Sequence, residues 1–151
     1  MYSIEYTNGN DDRFVELCHQ LDLYLTEIIG SNKQETQYAQ YNTLADIHNV
    51  VLIIEDNQVI GCGAIKQYDT HTMEMKRVFV KGEHRHHGYG HVIIESLEKL
   101  AKDKDFDKLI LETGVPLIHA QKMYASCGFK PMDNYGQYEG VDSSVCMYKN
   151  I

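Results

Sequence analysis

The sequence predicts an α/β (α+β) fold, a mixed β-sheet with helices packed on it, and three observations carry that prediction. Compact apolar and β-branched runs alternate with turn residues between Val50 and Val80. Two longer segments instead repeat their apolar residues at spacings of three and four, the helical period. Strand and helix patterns then alternate from Met73 to Lys149, the order that builds a layered sheet-and-helix domain.

Taken along the chain, Ser3 to Tyr6 reads as a short first strand. From Arg13 onward Phe14, Leu17, Leu21, Tyr24 and Ile28 form one helical stripe, closed at Gly30. Ser31 is placed to cap a second short helix running towards Tyr41. Val50 to Ile54 is a buried strand, Asp56-Asn57-Gln58 a turn, and Val59 to Lys66 the returning strand. A turn near Asp69 to Thr72 leads into a strand from Met73 to Val80. In it Met73 and Met75 share one parity and Val78 and Val80 the other, a switch that predicts a β-bulge near Lys76-Arg77.

Ile93, Ile94, Leu97, Leu100 and Ala101 mark the clearest helix, with Glu95, Glu98, Lys99 and Lys102 off its apolar face. Lys108 to Glu112 is a further strand. Ala120, Met123, Tyr124 and Cys127 form another helical stripe, with Gly128 as its C-terminal cap. One more strand is expected near Phe129, and Ser144 to Lys149 is the last.

Composition narrows the function classes. A length of 151 residues is that of one domain, read here as 1–151. Apolar residues make up 43% and charged residues 24%, as in globular proteins. No apolar run approaches the roughly 20 residues of a membrane helix, and Met1 to Glu5 lacks a signal-peptide pattern, so the expected location is cytoplasmic, without a membrane partner. The four cysteines are widely spaced and form no C-x-x-C pair, which reads as buried thiols rather than a disulfide or zinc framework. A net charge of −8 makes nucleic acid an unsuitable partner. Against it stands a local basic patch of Lys76, Arg77, Lys81 and Arg85, which suits a small polyanion.

That patch runs into Arg85-His86-His87-Gly88-Tyr89-Gly90, a glycine-containing loop that opens a helix. The first turn of a helix leaves backbone N–H groups unpaired and carries partial positive charge, so it attracts phosphate. Glycine lets backbone approach a diphosphate with no Cβ in the way. No G-x-x-x-x-G-K-[ST] is present, and no third glycine follows at Ile93. A nucleotide triphosphatase and a dinucleotide fold are both disfavoured on that ground. His84, His86, His87 and His91 do not suggest a metal site, because a loop that wraps a diphosphate cannot also hold converging ligands rigidly.

The segment resembles motif A of the GNAT superfamily of acetyl-CoA-dependent N-acetyltransferases, in which Arg or Gln is followed at the third position by Gly and at the fifth by Gly or Ala. Arg85, Gly88 and Gly90 meet that pattern. Glu74 to Val80 resembles the family's fourth strand. Ala120-Gln121-Lys122-Met123-Tyr124-Ala125-Ser126-Cys127-Gly128-Phe129 resembles its later helix, and Tyr135 to Tyr138 with Ser144 to Lys149 resembles the tail of small bacterial members. The match covers Val50 to Lys149.

The resemblance implies a mostly antiparallel central sheet with helices on both faces and a splay between the fourth and fifth strands, into which acetyl-CoA enters as co-substrate. It implies that Val78, Phe79 and Val80 meet the pantetheine arm through their backbone. Arg85, His86, His87, Gly88, Tyr89, Gly90 and His91 would hold the diphosphate. Tyr124 matches the family's general acid towards the departing thiolate, and Glu74 a position where some members carry a general base. Tyr24, Tyr38, Tyr41, Tyr135 and Tyr138 fall where acceptors dock. Leu117, near His119, stands where many members have Asn or Gln against the pantetheine. The implied reaction is acetyl transfer to a primary amine of a small molecule, by a monomer or homodimer and without a metal. A non-catalytic acyl-CoA sensor, or acetylation of a protein or peptide amine, is the alternative.

Overall fold

The computed structural model describes residues 1–29, 44 and 46–151. Strand β1 (Tyr2–Thr7) is followed by helix α1 (Asp12–Ile29), and strands β2 (Asn49–Glu55), β3 (Gln58–Gln67) and β4 (Thr72–Val80) form a meander. Then come α2 (Tyr89–Asp103), β5 (Lys108–Gly114), α3 (Ile118–Ser126), β6 (Lys130–Met132) and β7 (Ser144–Asn150). All seven strands join one sheet in the order β1-β2-β3-β4-β5-β7-β6. Every pairing is antiparallel except β4 with β5. The predicted mixed, mostly antiparallel class is the one observed. The second helix expected from Ser31 to Tyr41 lies outside the described residues, as does Gly30. Among the described residues no helix is long and apolar enough to cross a membrane.

The sheet is covered on both faces, and β2 records this directly. Val51 and Ile53 join a core with Ile93, Ile94, Leu97 and Ala101 of α2. Val50 and Leu52 face the other way, towards Phe14, Leu17, Cys18 and Leu21 of α1. All four β2 side chains are fully buried, and burying one aliphatic side chain stabilises the fold by about 1.5–3 kcal/mol. α1 begins at an Asp11 cap, whose Oδ1 accepts the Arg13 N–H at 2.9 Å. α2 lies close on the sheet because Gly63 has no side chain: a Cβ there would stand 2.5 Å from Ile93 Cγ2.

Two irregularities shape the centre of the sheet. Cys62 pairs with Phe79 and Ala64 with Lys76, so Gly63 alone faces both Arg77 and Val78. This is the β-bulge expected from the parity switch, and Arg77 sits in the left-handed region with φ 60°. The second is a splay. β4 and β5 pair from Thr72↔Lys108 to Met75↔Leu111 and no further. From Lys76 onward β4 has no sheet neighbour on that side.

Candidate active site

The gap between β4 and β5 opens into a cavity of about 870 Å³. Its walls come from the splayed part of β4, the loop before α2, the start of α2, the end of β5, α3 and the second half of α1. Of the residues singled out from sequence, Glu74, Val78, Phe79, Val80, Arg85, His86, Gly88, Tyr89, Gly90, His91, Tyr124, Tyr24 and Tyr138 line it. His87 and Tyr135 do not, and Tyr38 and Tyr41 lie outside the described residues.

The loop end is a helix N-terminus without a side-chain cap. Gly88 is the cap residue of α2, at φ 84°, and no side chain bonds the first N–H groups. The two glycines serve different ends. Gly88 is required by its left-handed backbone, and a Cβ there would meet no atom within 4 Å. Gly90 lies under α3, where a Cβ would stand 2.4 Å from Met123 Sδ and that side chain would have to shift. The sequence reading gave both one reason, backbone approach to phosphate; Gly90, on the cavity wall, also lies against α3.

Arg85 points inward. Its Nε donates to the Val80 carbonyl at 2.9 Å, and its guanidinium lies 4.4 Å from the Tyr24 ring centre and 5.5 Å from that of Phe79. The histidines take separate partners. His84 Nδ1 stands 3.7 Å from Glu55 Oε1, His91 Nε2 lies 3.0 Å from Ser126 Oγ, and the His87 ring faces Tyr89. The Tyr89 hydroxyl donates to Glu55 Oε2. Among the described residues no three His, Cys, Asp or Glu side chains converge as metal ligands.

Tyr124 is held by its helix end. The Phe129 N–H donates to the Tyr124 carbonyl at 3.1 Å and the Gly128 N–H to that of Ala125 at 3.0 Å, with Gly128 at φ 97°. That is a Schellman motif, and the Tyr124 and Phe129 rings supply its apolar contact edge-to-face. Burial pushes the Tyr124 phenol above its ordinary value, helped by the Cys127 thiol and Glu112. It therefore keeps its proton at neutral pH.

Glu74 is 7% exposed and faces the cavity. The Tyr135 hydroxyl donates to its Oε2 at 2.5 Å, and Lys76 Nζ stands 3.7 Å from its Oε1. Tyr135 thus acts behind Glu74 rather than on the cavity wall. The Tyr135 phenol is raised by burial and then by Glu74. The Tyr138 phenol is raised by burial, then by Glu112 and Glu74. Tyr68, Tyr135 and Tyr138 form an edge-to-face chain.

Among the cavity residues, sequence reasoning assigned no site role to Leu25, Glu112 or Met123, and placed Lys76 and Arg77 only in a basic patch suited to a small polyanion. Glu112 carried a usable signal, an acidic residue ending a buried strand. Its Oε2 accepts the Ser144 hydroxyl at 2.6 Å. Arg77 is 8% exposed and forks onto Asp22, with Nη1 2.8 Å from Oδ1 and Nη2 3.0 Å from Oδ2.

A helix-opening loop, a splayed parallel pair and a bulged strand on one cavity are the features the sequence resemblance implied, and known proteins agree. Residues 16–129 match the Acetyltransferase (GNAT) family. The chain is 31% identical over 142 residues to the IAA acetyltransferase of Azospirillum brasilense, covering 93% of this chain and 92% of that one. It is 29% identical over 99 residues to an uncharacterized N-acetyltransferase, YsnE, of Bacillus subtilis, covering 64% of this chain and 66% of that one. In structure it resembles an acyl-CoA N-acyltransferase from Klebsiella pneumoniae, with TM-score 0.82 and 28% identity over 99% of this chain and 97% of that one. Proteins of this fold have been solved with acetyl-CoA bound. Motif, splay and relatives converge: the chain belongs to the GNAT family of acetyltransferases, acyltransferases whose co-substrate is acetyl-CoA.

Proposed function

We propose that this chain moves the acetyl group of acetyl-CoA onto the primary amine of a small molecule, by direct attack within a ternary complex. The observation that carries this reading is the continuity of one cavity. It touches the loop before α2, the unpaired edge of β4, the Tyr124 phenol and the Glu74 carboxylate.

The free N–H groups at the start of α2 take the diphosphate, with the cavity-lining Arg85, His86 and His91 around it. The backbone of Val78, Phe79 and Val80 takes the pantetheine arm where β4 has no β5 partner. The Val78 N–H polarises the thioester carbonyl. Glu74 accepts the proton of the acceptor ammonium, and Tyr135 fixes the orientation of that carboxylate. The neutral amine attacks the carbonyl carbon, the C–N bond forms and the C–S bond breaks. Tyr124 gives its proton to the leaving thiolate, which its buried and protonated phenol is suited to do; the second proton shed by the attacking nitrogen restores the phenol, and the proton on Glu74 passes to solvent.

Thiol release from acetyl-CoA across an amine panel tests the proposal. Release above the amine-free background, abolished in Gly88→Asp, is the expected result. Acetyl-CoA binding with no thiol release for any amine would make the chain an acyl-CoA-binding module instead.

A further inference from the structure

We propose that the acceptor is an amphipathic primary amine, with its ammonium drawn in by Glu74 and Glu112 and its aryl or alkyl body lying against α1. This rests on the acetyl-transfer reading above and adds the substrate class. It starts from the helical period. Leu21, Tyr24, Leu25 and Ile28 stand at i, i+3, i+4 and i+7 of α1, so they form one stripe. All four line the cavity, as does Phe79 on the sheet. The stripe is sealed on the sheet at Leu21, 8% exposed, and emerges by Ile28, 39% exposed. This wall of the cavity is thus apolar at Leu25 and Ile28, while at Tyr24 the Arg85 guanidinium lies against the ring.

Its inner end is acidic. Glu74 pairs in register with Ile110, so Glu112, two residues along β5, presents to the same face. Both carboxylates line the cavity, and both lie near enough to the Tyr138 phenol to oppose its ionisation. Lys76 stands against Glu74, and Arg77, also on the cavity wall, is forked onto Asp22. Two carboxylates on one face of that end favour a cationic group there. The wall and the acidic end select together. An amine with an apolar body loses water from its carbon skeleton against Leu25 and Ile28, which is favourable. An amine with a hydroxylated or second charged body must strip those groups of water against Leu25 and Ile28, whose side chains offer no hydrogen-bond partner.

The test compares 2-phenylethylamine, tryptamine and hexylamine with ethanolamine and butane-1,4-diamine, using thiol release from acetyl-CoA. The expected kcat/KM for 2-phenylethylamine exceeds that for ethanolamine at least tenfold. Ile28→Ser and Leu25→Ser should each cut that ratio at least fivefold, with acetyl-CoA affinity retained; Ile28 is exposed enough for its variant to fold. Glu112→Gln should raise KM for 2-phenylethylamine at least fivefold with kcat nearly kept. Turnover confined to ethanolamine or butane-1,4-diamine, or a ratio unmoved by both serine variants, overturns this proposal alone. Acetyl-CoA binding without thiol release for any amine overturns the acetyl-transfer reading and this one with it.

Discussion

Replacing Gly88 by alanine, beside the same change at Gly140, separates backbone strain from ligand exclusion at the phosphate loop. Both glycines have a left-handed backbone, φ 84° and 76°, and at both an added Cβ meets no atom within 4 Å. The two substitutions therefore carry the same intrinsic cost. An alanine in the left-handed region loses about 1–2 kcal/mol, and its smaller unfolded-state freedom returns about 0.4–1 kcal/mol. The net loss is about 1 kcal/mol, which for a chain of this size lowers Tm by about 2–4 °C. Thermal unfolding should show that shift in both variants. Binding should split them. Gly88 lines the cavity and Gly140 does not, so only at Gly88 does the new methyl crowd the diphosphate. Calorimetric titration with acetyl-CoA should give a Kd raised at least tenfold for Gly88→Ala, about 1.4 kcal/mol, and unchanged for Gly140→Ala. Equal Kd values in the two variants would refute the placement of the diphosphate at this loop.

Other expectations follow from the same geometry. Tyr124→Phe should lower kcat at least tenfold and leave acetyl-CoA Kd unchanged; an unaltered kcat removes the proton-donor role. Burial raises the Tyr124 phenol above its ordinary value of about 10, so the proton is kept below pH 10. No Tyr124-dependent fall in kcat is then expected between pH 7 and pH 10, and a fall there that vanishes in Tyr124→Phe counts against the assignment. The sign for stability is the same: the raised phenols of Tyr124, Tyr135 and Tyr138 contribute fully below pH 10 and lose that contribution as pH climbs further, which denaturant midpoints at pH 8 and pH 11 can read. Gly63→Ala forces a Cβ to within 2.5 Å of Ile93 Cγ2 and should cost about 1–3 kcal/mol by urea unfolding. Asp22→Asn leaves the Arg77 side chain, 5% exposed, without its counter-charge. Because the Asp22 carboxylate is 40% exposed, water offsets part of the loss, and about 1–2 kcal/mol is expected by the same method.

What the sequence revealed was what local period and local chemistry encode. The α1 and α2 stripes, the Gly128 cap and the loop before α2 are each contained in a few consecutive residues. Even the bulge was legible, because it shifts the parity of Met73, Met75, Val78 and Val80 within one strand. What stayed hidden depends on residues far apart in the chain. Tyr135 reaches Glu74 across 61 positions, so sequence placed it on the acceptor wall when it stands behind the carboxylate. Gly90 answers to Met123, and Arg85 turns towards Tyr24 and Phe79. Leu25 escaped notice for another reason. It adds a second apolar residue per turn to the α1 stripe, and its significance appears only once the cavity beside it is known.

The bulge also divides one strand between the two faces of the sheet, as the proposed reaction requires. In an unbroken strand Glu74, Lys76, Val78 and Val80 would share a face, and Met73, Met75, Arg77 and Phe79 the other. Arg77 would then enter the apolar core under α2. The extra residue at Arg77 restores the division: Met73, Met75, Val78 and Val80 all pack with the α2 core, and Phe79 joins the α1 core, with Arg77 bonded to Asp22 on α1. The arrangement has a cost. Arg77 holds a left-handed φ of 60°, unfavourable by about 1–2 kcal/mol, and its buried Nε has no hydrogen-bond partner, unfavourable by about 1–3 kcal/mol. Both costs fall on one residue, two positions past the last β4–β5 pair. Strain concentrated there marks the stretch where β4, still paired with β3, has left β5 and opens its edge to the cavity. In the proposed reaction the apolar half of the strand would support the donor side, with Glu74 on the cavity wall facing the acceptor.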